Sequence, residues 1–159
     1  MIFITTGSQK FQFNRLLKKV DELIADGTIK DEVFAQSGYS DYTPQNYSYQ
    51  DFLNRDEFAS KMSESTIVIT HGGTGAIIGA VKKGKKVIAV PRLAKYGEHV
   101  DDHQLQLLKQ FEEMSLICSC NDIEQLGKCI NEICDMNFVE YVSNTDTIIN
   151  DIEGFLLGH

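Results

Sequence analysis

Apolar and polar positions switch between two periods along the chain. "MIFITT" is a continuous β-type run, and it is followed by "FNRLLKKVDELI", where Phe13, Leu16, Leu17, Val20, Leu23 and Ile24 recur at helical spacing. A second β-type run, "EVFAQSG", comes next, so the chain opens strand, helix, strand. "DFLNRDEFASKM" places Phe52, Phe58 and Met62 at roughly helical intervals before the strand-like "TIVIT", and "GAIIGAVKKG" separates that run from "KVIAVP". Past Val100, "DDHQLQLLKQFEEM" predicts a helix and "SLICSC" a strand, while "NDIEQLGKCINEIC" predicts a helix whose Asn121 and Glu124 have capping-box spacing. The last segment, "TIINDIEGFLL", carries Ile148, Ile149, Ile152, Phe155 and Leu156 on one helical face, which either closes the chain's own sheet or docks on a partner. "GYSDYTPQNYSYQ", Gly38 to Gln50, follows neither period and is either a surface loop or a recognition surface.

This alternation predicts an α/β domain: a Rossmann-like parallel sheet flanked by helices, spanning residues 1–159 as one unit. Right-handed crossovers then bring the carboxyl ends of all the strands to one edge, which is where such sheets bind ligands. A length of 159 residues with 42% apolar is enough for one core and short of what two would need.

Charge narrows the function classes. The net charge is −8 and no cluster of Lys or Arg stands out, which argues against nucleic acid or an anionic membrane as a general partner. The longest apolar runs fall far short of the roughly 20 residues that cross a bilayer, and the N-terminus reads as a strand, not as a signal peptide. Cys118, Cys120, Cys129 and Cys134 have neither CxxC spacing nor a disulfide framework, so they read as reduced thiols of a cytoplasmic protein.

The densest chemistry lies in "IVITHGGTGAIIGAVKKGKKVIAVPR", Ile67 to Arg92. His71, Gly72 and Gly73 leave the strand directly and lead into the helix that starts near Thr74. Open backbone amides and the positive end of that helix favour a phosphate there, and glycines let it approach the backbone; a tight turn with no ligand is the plainer reading. An imidazole beside such a site can donate to a phosphate oxygen. After the next strand, "PRLAKYGEHVDDHQ" brings Arg92 and Lys95 toward the same edge, while Asp101, Asp102, His103 and Gln104 open another helix, as ligand contacts or as simple caps. His99 and His103 have i, i+4 spacing but no third ligand at matching spacing, so no metal site is expected.

These residues carry a resemblance. "THGGTGAIIGAVKKGKKVIAVPRLAKYGEHVDDHQLQLLKQF" resembles the nucleotide-sugar-binding, C-terminal half of GT-B-fold glycosyltransferases. More narrowly, "PRLAKYGEHVDDHQ" together with "FITTGSQKFQFNRLL" resembles the small catalytic subunits of split glycosyltransferases of bacterial capsule and exopolysaccharide synthesis, themselves similar to the eukaryotic dolichol-linked UDP-GlcNAc transferase subunit. The resemblance implies that His71, Gly72, Gly73, Thr74 and Gly75 hold the diphosphate of a UDP-sugar and that Asp102, His103 and Gln104 meet the donor sugar. It also implies that Gly7, Ser8, Arg92, Lys95, Glu98 and His99 line the cleft, with Arg92 near the departing UDP. It further implies hexosyl or N-acetylhexosaminyl transfer to a lipid-linked acceptor, no cofactor, a base on a membrane-anchored partner subunit, and a location at the inner face of the membrane through that partner. One position departs from the pattern: Gly79 stands where an acidic residue usually grips the ribose. The alternatives are a non-catalytic nucleotide-sugar-binding or regulatory module and, less fittingly, a dinucleotide-binding domain, since "TTGSQKF" lacks G-x-G-x-x-G.

Overall fold

The computed structural model describes residues 1–7, 10–71, 73–97 and 103–138, the side chains of Thr74, His103 and Gln104 excepted. Strands β1 (Ile2–Thr5), β2 (Val33–Gln36), β3 (Ser48–Gln50), β4 (Ile67–His71), β5 (Lys86–Val90) and β6 (Cys118–Ser119) alternate with helices α1 (Asn14–Ala25), α2 (Arg55–Glu64), α3 (Thr74–Lys82), α4 (His103–Glu113) and α5 (Leu126–Ile133). The strands form one sheet in the order β3-β2-β1-β4-β5-β6, with every pairing parallel. The runs "IFIT", "IVITH" and "KVIAV" are apolar nearly throughout because both faces of a parallel sheet are covered.

Alternate residues supply the two layers. Ile2, Ile4, Ile67, Ile69, Ile88 and Val90 pack with Leu16, Leu17, Val20 and Leu23 of α1 and with Leu126, Ile130 and Ile133 of α5. Phe3, Val68, Val87 and Ala89 pack with Met62 of α2, Ile77, Ala80 and Val81 of α3, and Leu108 and Phe111 of α4. The sheet is therefore doubly wound, and the predicted fold class is the one found. Cys118 and Cys120 sit in the first layer with Cys129 against it; all four cysteines are free thiols. Among the described residues, no helix is long and apolar enough to cross a membrane.

Three local expectations change. The stretch from Gly38 to Gln50 ends in β3, a parallel edge strand, and the residues before it are pinned to α1. Buried Asp21 accepts from the Tyr42 hydroxyl (2.6 Å) and from the backbone N–H groups of Gln45 (2.8 Å) and Asn46 (2.9 Å), and Asn14 Oδ1 accepts from the N–H groups of Asp41 and Tyr42. The hydrogen bond to Asp21 pushes the Tyr42 phenol up to about 12. The expected capping box at Asn121 does not form: Asp122 accepts from Glu124 N–H at 3.0 Å and caps a short 3-10 turn, Ile123–Gln125, ahead of α5. A capping box does form at Asn54 and Glu57, so α2 begins at Arg55 and Phe52 lies outside it, exposed. The helix expected around Ile148 to Leu156 lies outside the described residues.

Candidate functional site

The crevice sits where the winding reverses. From β1 the chain crosses to β2 on one side, while β4, on the other side of β1, leads to β5. The loops leaving β1 and β4 therefore diverge at their carboxyl ends and open a gap above the sheet, the general ligand position of doubly wound folds. Thr6 and Gly7 flank it from β1, and His71 and Gly73 from β4.

His71 is the last residue of β4 and is buried, at 8% exposure. Its Nδ1 accepts a hydrogen bond from Gly73 N–H at 3.0 Å, which makes Nε2 the proton-bearing nitrogen of the neutral ring. The ring lies between two glycines. A Cβ on Gly7 would come within 2.5 Å of His71 Nε2, and one on Gly73 within 2.1 Å of Cε1, so no other residue fits at either place without moving the imidazole. Gly7 also has φ +80°, a left-handed conformation that other residues adopt at a cost. By contrast, a Cβ on Gly75 or Gly79 would meet nothing within 4 Å.

The turn delivers the chain into α3 without a cap. Gly73 occupies the N-cap position, has no side chain to offer the first amides, and the first turn holds no acidic residue. A helix start in this condition presents N–H groups and positive potential to the edge of the sheet. Beneath it, Thr70 is in register with Thr5 and is fully buried, and its hydroxyl has no partner among the described residues.

The wall on the β1 side is held from a distance. Arg92, one residue after Pro91 and 1% exposed, donates through Nη2 to the Thr6 carbonyl and through Nη1 to the Phe11 carbonyl (3.3 Å), and its guanidinium lies 5.4 Å from the centre of the Phe13 ring. This corrects the expectation that Arg92 faces the departing diphosphate: the guanidinium is turned inward and props the loop after β1. Gln12 Nε2 donates to the Tyr96 carbonyl (2.9 Å), Arg15 Nη2 donates to the Pro91 carbonyl (3.1 Å), and the exposed Tyr96 ring lies 4.8 Å from the Arg15 guanidinium. Lys95 is exposed on the 3-10 turn Ala94–Tyr96, its ammonium 5.0 Å from the same ring. Sequence reasoning missed Gln12, Arg15 and Tyr96, whose partners lie far along the chain and leave no local signal.

Of the other expected residues, Thr74 opens α3, and His103 and Gln104 open α4 at the same edge. Ser8, Gly72, Glu98, His99 and Asp102 lie outside the described residues. Among the described residues, no three His, Cys, Asp or Glu side chains are grouped so as to hold a metal ion.

Residues 1–151 match the glycosyltransferase family 28 C-terminal domain. The chain belongs to that family. Its sequence is 27% identical over 110 residues to the human UDP-N-acetylglucosamine transferase subunit ALG13, covering 68% of this chain and 8% of that protein. It is 30% identical over 77 residues to the subunit of the same name from Yarrowia lipolytica, covering 48% of this chain and 37% of that one. The family 28 chain thus spans well under half the length of either relative. Among solved structures, the calicheamicin glycosyltransferase CalG4 matches with a TM-score of 0.60 at 15% identity, over 98% of this chain and 38% of that one. The solution structure of ALG13 matches at 0.59 and 18% identity, over 98% and 94%. At these identities the likeness is one of fold, and the fold is that of the C-terminal half of a GT-B glycosyltransferase.

Proposed function

We propose that this family 28 domain is the donor-binding, catalytic subunit of a UDP-sugar-dependent glycosyltransferase that moves a hexosyl or N-acetylhexosaminyl group to a lipid-linked acceptor in the synthesis of a cell-surface polysaccharide, such as a capsule or exopolysaccharide. The observation that carries the reading is the uncapped start of α3 beside the glycine-bracketed His71, at the reversal point of the sheet. Unpaired amides and a helix dipole aimed at one point select an anion. The open space over Gly75 leaves room for the diphosphate to close on the first turn.

In the proposed reaction an acceptor hydroxyl attacks the anomeric carbon, the bond to the UDP oxygen breaks, and UDP leaves with the bonding electrons. The amides of the first turn of α3 and the Nε2–H of His71 meet the charge that grows on the departing phosphate, where prearranged donors act most strongly. His103, Gln104 and Asp102 are proposed to hold the sugar's hydroxyls, and the acceptor proton passes to a base on a partner subunit. Helix amides supply the positive potential, so the proposal includes no resident metal or cofactor. Gly79 offers no group to the ribose, so that contact is assigned to a neighbouring loop or to the partner. A membrane-anchored partner would bring the acceptor, make the working unit a heterodimer and keep this subunit on the cytoplasmic face. The name of the ALG13 relatives, a transferase subunit, supports the split arrangement.

Calorimetry with UDP tests the donor site directly. Co-expression with the neighbouring gene's product, followed by transfer from a panel of UDP-sugars in membranes, tests the chemistry. Binding of UDP by this chain and transfer only with both subunits is expected. UDP binding with no transfer in any combination would instead make the chain a non-catalytic module, and no UDP binding by the folded chain would remove the donor-site assignment.

A further inference from the structure

Three of the chain's four cysteines converge at the β6 end of the sheet, two strands beyond β4. The alternation of β6 turns Cys118 and Cys120 to one face, that of the α1 and α5 layer, where both are buried, at 8% and 2% exposure. Pairing with β5 holds them there: Cys118 is in register with Ile88, and Cys120 N–H donates to the Ala89 carbonyl (2.8 Å). Cys129 lies on α5 between Leu126 and Ile130, which fill the same layer, and it packs against that cluster from the margin. Its sulfur is within hydrogen-bond reach of both other thiols. Cys134, at the C-cap of α5, is exposed and lines a different hollow, with Thr28, Ile67 and Asn131.

Buried cysteines usually serve as small apolar side chains. Two features set Cys129 apart from that role. It keeps partial exposure, so a small solute can reach its sulfur. In addition, hydrogen bonds from the Cys118 and Cys120 thiols, with the Lys128 charge in support, hold the Cys129 thiol below the ordinary cysteine range, while the contact with Cys129 and burial push Cys118 and Cys120 up. One sulfur is thus disposed to react as a thiolate, with two protonated neighbours beside it. The Cys120 thiol also donates to the Asp122 carbonyl (3.2 Å), which orients that side chain.

We propose that Cys129 is a peroxide-reactive thiol that, once oxidised by hydrogen peroxide, closes a reversible disulfide with Cys118 or Cys120 and so ties α5 to the edge of the sheet. In the first step the Cys129 thiolate attacks one peroxide oxygen, the O–O bond breaks, and hydroxide leaves and takes up a proton, giving a sulfenic acid and water. In the second, the neighbouring sulfur attacks Cys129 Sγ, the S–O bond breaks, and the hydroxyl leaves as water with the neighbour's proton. Two thiols and one peroxide become one disulfide and two waters. The inference is independent of the donor site, which lies at the gap between β1 and β4.

The test uses the full chain carrying Cys134→Ser, reduced, treated while folded with hydrogen peroxide, then alkylated after unfolding and weighed. Trypsin cleaves after Lys128 and separates Cys129 from the peptide that holds Cys118 and Cys120. A crosslink between these two peptides, lost on treatment with dithiothreitol, is expected. Adding Cys129→Ser should abolish the crosslink and slow oxidation of the remaining thiols about tenfold. Adding Cys118→Ser and Cys120→Ser together should leave Cys129 as a sulfenic acid that dimedone traps. Wild-type positions 118, 120 and 129 that stay reduced in the folded chain and alkylate only after unfolding would mark the cluster as packing alone and overturn the proposal. A disulfide confined to Cys118 and Cys120, or Cys129 passing to the sulfinic acid without a crosslink, would overturn it as well.

Discussion

Helices α2 and α3 both begin at the carboxyl edge of the sheet, yet their first turns are built in opposite ways. At α2, Asn54 Oδ1 accepts from Glu57 N–H (2.8 Å), Glu57 Oε1 accepts from Asn54 N–H (3.2 Å), and Asp56 and Glu57 place negative charge on the positive end of the helix. At α3 the N-cap is a glycine, the first turn has no acid and no side-chain cap, and His71 Nδ1 accepts from Gly73 N–H. The first arrangement uses up its donors within the helix; the second keeps them. A capped start is worth about 1 kcal/mol, so leaving α3 without one gives up stability at the place where an anion can restore it.

Five substitutions break or sharpen this contrast. Gly73→Ala drives a methyl into the imidazole and is expected to cost about 1–3 kcal/mol by overpacking, with UDP affinity down about tenfold. Adding His71→Ala to it should recover much of the stability and none of the affinity; denaturant unfolding of the singles and the double reads the coupling. Arg92→Ala is expected to cost about 1.5–3 kcal/mol, the range for losing hydrogen bonds from a charged group, and to weaken UDP only through the loosened loop. Equal unfolding midpoints for this variant and wild type would show that the loop after β1 does not depend on Arg92. Asn54→Ala should cost about 1 kcal/mol and leave UDP binding untouched by calorimetry. Gly75→Asp gives α3 what α2 has, in open space. It should raise stability by about 0.3–1 kcal/mol through the helix dipole while UDP binding is lost, and a gain or no change in affinity would show that the anion binds elsewhere.

The sheet was legible in the sequence because burial on both faces leaves continuous apolar runs, and α1 because Leu16, Leu17, Val20 and Leu23 face one layer. β3 was not: Ser48, Tyr49 and Gln50 are all exposed, and the strand is defined by backbone pairing with β2, which leaves no period. The N-x-x-E pattern occurs at both Asn54 and Asn121 and forms a cap at the first alone, because Asp122 captures the amide at the second. In the site, the glycine turn between β4 and α3 was legible. The reason for its glycines was not, since Gly7 and Gly73 answer to the shape of the His71 ring, a requirement that spans two βα units. Arg92 misled for the same reason: its partner, Thr6, lies 86 residues away.

The staple between Asp21 and the turn at Tyr42, Gln45 and Asn46 bears on how the molecule comes apart. The turn packs Tyr42 and Tyr47 on the core layer that α1 helps to build and takes further order from α1 itself, to which the Tyr47 hydroxyl also donates at the Leu17 carbonyl (2.9 Å). Because β3 joins the sheet through this turn, its amides and those of Gln45 and Asn46 gain protection from solvent exchange only while α1 is docked. The outer corner of the sheet is therefore expected to lose its order whenever α1 leaves the core layer that it shares with β1, β4 and β5.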